Sequence, residues 1–119
     1  MSLIKGIYAA SLSVINEDLS LNIDKTIKHS ENIIDYGCHG VVFFGSTGQS
    51  QLISLSEKIQ LINSLPKSKY SEKFIIGTGC NSLIDTITLM RISMNLGFDK
   101  FLIMPPAYYK YDDTDVINF

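Results

Sequence analysis

The chain has 119 residues, 45% of them hydrophobic, and a formal net charge of −2. That length suits one domain of ordinary size with a buried core. The slight acidity argues against a broad nucleic-acid footprint, and no apolar run approaches the roughly 20 residues a membrane span needs.

Lys5 before Gly6-Ile7-Tyr8-Ala9-Ala10-Ser11 has the outline of a signal peptide, but the apolar stretch is short and broken by Gly6, Ser11 and Ser13. A first strand over Gly6 to Ser11 explains it better. A polar loop, Val14 to Leu21, follows. A helix is predicted from about Asn22 to Tyr36, with Ile23, Ile27, Ile33 and Ile34 on its apolar face and Gly37 as its stop. Val41 to Phe44 reads as a buried parallel strand. The spacing Ser54-Leu55-Ser56-Glu57 is that of a capping box, opening a helix from about Leu55 to Leu65 with Ile59, Ile62 and Leu65 inward. Phe74 to Gly77 is the third strand. Ser82 begins a third helix whose apolar positions are Leu83, Ile87, Met90 and Leu96, and Gly97 stops it. Phe101 to Met104 is the fourth strand, ended by Pro105 and Pro106. Asp112, Asp113 and Thr114 are N-cap candidates for a last helix.

The order is strand–helix repeated, which implies a parallel sheet with right-handed crossovers. The repeat of roughly 30 residues is that of a barrel of about 250. Two architectures fit: a four-stranded open sheet, or the N-terminal half of a TIM (β/α)₈ barrel with about four βα units over residues 1–119. An end a few residues into a helix favours the second.

The loop Gly45-Ser46-Thr47-Gly48-Gln49-Ser50 joins a strand to a helix. Its two glycines permit a tight turn and a close backbone approach. Its hydroxyls and amides suit a small anion such as a carboxylate or phosphate. An ordinary turn rich in turn residues is the plainer alternative. Gly77-Thr78-Gly79-Cys80-Asn81-Ser82 half-matches a dinucleotide fingerprint, but Ser82 stands at the third glycine and no acidic residue ends the next strand. Gly45 to Ser50 has no lysine, so it is not a phosphate-binding P-loop. Lys67, Lys69 and Lys73 crowd into one connection and read as a solvated loop. Cys38 and Cys80 form no metal spacing with His29 and His39 and read as small apolar side chains rather than nucleophiles. Two thiols without a close-set pattern fit a reducing, cytoplasmic compartment. Tyr108, Tyr109 and Tyr111 gather after the fourth strand, at the end where barrel active sites lie, as proton carriers, interface anchors or plain packing.

Three of these loops together resemble the dihydrodipicolinate synthase / N-acetylneuraminate lyase family. Gly37-Cys38-His39-Gly40, a strand, and Gly45 to Ser50 are similar to its G-[ST]-T-G-E-S loop after strand two. Gly77-Thr78-Gly79-Cys80-Asn81 resembles its G-T-G-x-N loop, and Pro106-Ala107-Tyr108-Tyr109-Lys110 its proline-and-tyrosine loop. The resemblance implies a (β/α)₈ barrel in which a strand-six lysine, here beyond residue 119, forms a Schiff base with pyruvate or another 2-oxo acid, with no separate cofactor. It implies that Ser46 relays protons between tyrosines, that Ser46 and Thr47 bind the 2-oxo acid carboxylate, and that Gly45 and Gly48 support the loop. Tyr108 matches the tyrosine that reaches across a tight dimer, with Tyr109 one place away as the alternative. The second relay tyrosine, like the lysine, lies beyond Phe119.

Gln49 departs from the family's glutamate, and Ser13-Val14 stands where a Thr-Pro pair is common. Leu55 and Lys58 occupy positions where lysine-responsive synthases carry histidines, although Asn81 and Asp85 match other parts of that site, which counts against lysine feedback. The implied activity is the synthase condensation of pyruvate with an aldehyde, aspartate semialdehyde, in lysine biosynthesis, by a homotetramer built as a dimer of dimers. N-acetylneuraminate lyase and 2-keto-3-deoxy sugar acid aldolases are the rivals, and Ser46 with the Pro-Pro-Ala-Tyr-Tyr-Lys loop leans toward them. A non-catalytic carboxylate-binding module is the reading from another class, should the chain end at 119.

Overall fold

A computed structural model describes residues 4–119. Its elements are β1 (Tyr8–Ala10), α1 (Ile23–Asp35), β2 (Gly40–Phe43), α2 (Leu55–Ser64), β3 (Phe74–Gly77), α3 (Leu83–Asn95), β4 (Phe101–Leu102) and α4 (Asp113–Asn118). The four strands form one parallel sheet in the order β1-β2-β3-β4, with Ala9 beside Val41, Val42 beside Ile75 and Gly77 beside Leu102. Strand order follows chain order without reversal. Successive right-handed crossovers therefore place α1, α2 and α3 side by side on one face, α1 against α2 and α2 against α3. This is the arc of a barrel, not a doubly wound sheet, whose order reverses at a switch point. No helix among the described residues is long and apolar enough to cross a membrane.

The core lies between sheet and helices. Val41, Phe43, Phe74 and Ile76 from the strands are buried against Leu61, Ile62, Leu65 and Leu89. The Phe43 and Phe74 rings meet edge to face at 5.0 Å, the geometry their quadrupoles prefer. Each helix start carries a side-chain cap: those at Ser54, Ser82 and Asp112 are as predicted, whereas Asn22, expected as the first helical residue, is instead the cap. The Asn22 side chain accepts from Lys25 N–H and Ser82 from Asp85 N–H. Ser54 and Glu57 form a reciprocal capping box, and Asp112 and Asp115 form another. Such caps satisfy amides that the helix itself leaves unpaired.

Several predicted boundaries and faces differ. β1 is shorter than Gly6 to Ser11, although Ser11 N–H still reaches Val42 O at 3.0 Å. β2 stops at Phe43, because Phe44 adopts φ +56 and leaves the pleat. β4 ends at Leu102 rather than Met104. Its neighbour β3 has already turned away at Gly79, φ +55, so Ile103 and Met104 have no ladder to join. α3 bears out only part of the expected face: Leu96 packs against the core and Met90 is half-buried, but Leu83 and Ile87 are exposed while Thr86, Leu89 and Ser93 are buried. Two of the three buried positions are small hydroxyl residues. Their hydroxyls are spent on the helix itself, Ser93 Oγ donating to Leu89 O at 2.8 Å and Thr86 Oγ1 to Ser82 O at 3.0 Å. α1 also buries Thr26 and Ser30, but its expected face holds: Ile34 is buried and Ile23, Ile27 and Ile33 pack against the core.

Candidate active site at the strand ends

The loop after β2 is a tight turn closed by Gln49 N–H on Ser46 O, at 3.0 Å, and followed by a single 3₁₀ turn over Ser50–Leu52. Two non-glycine residues in the left-handed region bracket it, Phe44 at φ +56 and Gln49 at φ +52. Such backbone costs energy and persists only where surroundings impose it, often at functional sites. Gly48 is the packing point. A Cβ there would lie 2.9 Å from Ser11 O. The Ser13 hydroxyl donates to Gly48 O at 2.6 Å, tying the turn to the end of β1. The turn is thus anchored at its base, while Ser46 and Thr47 at its tip are exposed. Among the described residues, neither hydroxyl has an intramolecular partner, nor do the N–H groups of Ser46, Thr47 and Gly48. Two hydroxyls and three amides on one rigid turn are a complement for a carboxylate.

Ser46 borders a cavity of ≈ 620 Å³ at the C-terminal ends of β2, β3 and β4. Gly45, Gln49 and Gly79 line it on the polar side, and Leu102, Ile103 and Met104 form an apolar wall. Thr47 lies on the same turn but does not line the cavity. Tyr108 does not line it either. It stands in the loop after β4, 91% exposed, with its ring edge-on to Tyr109 at 5.0 Å. Its φ of +84 is a marked departure for a bulky residue, whereas Tyr109 is not in that region. The loop is held from below: Asn81 Oδ1 accepts from Ala107 N–H at 2.8 Å.

Sequence reasoning gave Lys58 no part in the fold's interior. It is among the most buried side chains, at 2% exposure. Its Nζ donates to Thr78 O at 3.0 Å and Gly79 O at 3.3 Å, under the loop after β3. Desolvation holds its pKa below the ordinary lysine value, with Cys80 the nearest opposing influence. The signal was present: Lys58 continues the i, i+3, i+4, i+7 row of Leu61, Ile62 and Leu65. Gly79 is fixed by the same packing, since a Cβ there would meet Ser50 Oγ at 2.2 Å. Thr78 Oγ1 beside it is buried without a partner among the described residues. Cys80 is buried as expected, but Cys38 is only partly so.

The description "dihydrodipicolinate synthetase family" matches residues 3–119 of the chain. The chain belongs to that family. It is 32% identical to an uncharacterized DapA-like lyase of Chloroflexus aurantiacus over 97% of this chain and 39% of the relative. It is 27% identical to an N-acetylneuraminate lyase of Clostridium perfringens, over 97% of this chain and 41% of that protein. The crystal structure of dihydrodipicolinate synthase from Agrobacterium tumefaciens superposes with a TM-score of 0.83 at 25% identity, covering 92% of this chain and 39% of that one. The four βα units are therefore those of the N-terminal half of the family's barrel, and the chain spans about two fifths of the length of these relatives.

Proposed function

We propose that these residues are the first part of a Schiff-base lyase of the class I aldolase type, acting on pyruvate and an aldehyde. The observation that carries this is the turn at Ser46 and Thr47: a rigid base and an open tip of unpartnered donors beside a cavity at the strand ends. In this reading the carboxylate of pyruvate sits on the turn, held by the amides of residues 46–48 and the hydroxyls of Ser46 and Thr47. The Ser46 hydroxyl passes a proton between two phenols, Tyr108 from a neighbouring subunit and a second tyrosine outside these residues. The electrophile-capturing amine is a lysine outside them too. Lys58 does not take that part: it lies buried beneath the loop after β3 and does not line the cavity that Ser46 borders.

For the second substrate the reading is aspartate semialdehyde, giving a cytoplasmic, homotetrameric synthase of lysine biosynthesis. A serine at 46 rather than threonine favours the alternative, cleavage of N-acetylneuraminate or a 2-keto-3-deoxy sugar acid. One experiment addresses both levels. The complete enzyme and its Ser46→Ala variant are assayed with pyruvate plus aspartate semialdehyde, and in the cleavage direction with each sugar acid. The variant is expected to lose roughly 10²-fold or more in kcat on whichever substrate is turned over, as loss of a proton relay does, and Ser46→Thr to be mild. Near-full turnover by Ser46→Ala removes the serine from the relay.

A further inference from the structure

Below the loop after β3, Lys58 and Cys80 form a pair the proposed reaction does not use. Nζ lies 3.8 Å from Sγ, and Lys58 and Cys80 are 2% and 8% exposed. The pair is held from several sides. Nζ donates to Thr78 O and Gly79 O, and Sγ–H donates to the same Thr78 O at 3.1 Å. Gly79, whose φ is +55, sits over them with Ser50 against it. A cavity of ≈ 330 Å³ reaches both side chains, between Ser50, Asn81 and Asp85.

We propose that Lys58 and Cys80 are an oxidative modification site, at which hydrogen peroxide drives formation of a covalent sulfur–nitrogen crosslink. Peroxide first takes two electrons from the Cys80 sulfur. Its O–O bond breaks, one oxygen stays on sulfur as a sulfenic acid, and the other leaves as water. The Lys58 amine then attacks that sulfur. The N–S bond forms, the S–O bond breaks, and the departing hydroxyl takes a proton from nitrogen and leaves as the second water. A dithiol reverses the crosslink by thiol attack on sulfur. Burial favours the uncharged forms of both groups, raising the Cys80 thiol and lowering the Lys58 ammonium. The first makes the thiol slow to oxidise, and the second eases the loss of the ammonium proton that the closing step needs. The crosslink joins α2 to the loop that carries Asn81. Asn81 in turn holds Ala107, next to Tyr108, so the bond stiffens the support of the tyrosine loop.

The test is peptide mapping and intact mass of the purified protein after hydrogen peroxide, with no reliance on turnover. The expected product has lost two hydrogen atoms, joins the peptides bearing Lys58 and Cys80, resists trypsin after Lys58 and reverts with dithiothreitol. It persists in Cys38→Ser and is absent from Cys80→Ala. Dimedone, present during oxidation, labels Cys80 and suppresses the crosslink. A two-hydrogen loss that maps to a Cys38–Cys80 disulfide overturns the proposal. So does oxidation of Cys80 to sulfinic acid with Lys58 still cleavable, or a Cys80 that peroxide leaves untouched. Each of these is read on the wild-type chain, so failure of a variant to fold does not shelter the idea.

Discussion

Tyr108 is the residue where backbone and chemistry meet. Its φ of +84 is unfavourable for any side chain with a Cβ, yet no glycine stands there. In the proposed mechanism the strain aims the phenol outward, where Pro105 and Pro106 have stiffened the exit from β4. Tyr108→Phe keeps the ring and removes only the hydroxyl. In the complete enzyme it is expected to leave assembly intact and to lower kcat. Mixing it with a variant lacking the Schiff-base lysine then discriminates trans from cis action. In trans, each mixed dimer has one site carrying both defects and one carrying neither, so activity returns. No recovery despite verified subunit exchange means the phenol serves its own barrel. Gly79 makes a different demand, of packing rather than chemistry. Gly79→Ala forces a Cβ into the left-handed region and against Ser50. It is expected to cost about 2 kcal/mol or more in denaturant unfolding. A loss within about 0.5 kcal/mol, the range of neutral surface changes, shows that the loop relaxes freely.

At the scale of elements, the start of α2 is a small electrostatic device. Glu57 caps Ser54 and also reaches back, its Oε1 accepting from Leu21 N–H at 2.8 Å. Those bonds, Leu21 first and the Ser54 hydroxyl next, hold the Glu57 carboxyl below the ordinary glutamate range. A carboxylate with a depressed folded pKa stabilises the fold fully above the unfolded value of about 4.3. The stabilisation is lost as pH falls through the folded value. The stability gap between wild type and Glu57→Gln is therefore expected to be constant near neutrality and to shrink below about pH 4. Urea titrations across that range check it, and a gap unchanged down to pH 3 contradicts the assignment. The capping box was legible in the sequence because it is a local pattern of four residues. So were the strands, as apolar runs bounded by glycine and proline. The inward face of α3 was legible only in part. Leu96 packs against the core, but Leu83 and Ile87 are exposed, and hydroxyl residues bonded to their own helix take buried places. Lys58 was missed for a related reason, since a charge at a core position reads as surface until the carbonyls that receive it are placed. The turn at Ser46 was legible as a tight connection between a strand and a helix. Its anchoring by Ser13, far away in sequence, was not.

For the whole molecule, a sheet whose order follows the chain, helices on one face and the βα loops at one end are the plan of a barrel arc. Ser46 and Gln49 from one loop and Gly79 from the next border one cavity because parallel strands deliver all their βα loops to the same rim. The proposed chemistry divides along the chain: these residues hold the carboxylate and move the proton, and a lysine outside them captures the carbonyl. Borohydride reduction in the presence of pyruvate tests that division most directly, because it fixes a Schiff base to the lysine that formed it. The complete enzyme, treated in this way and mapped by peptide mass, is predicted to carry the reduced pyruvyl adduct on one lysine outside residues 1–119. An adduct on Lys58 or any other lysine of this chain, or no adduct at saturating pyruvate, would contradict the account.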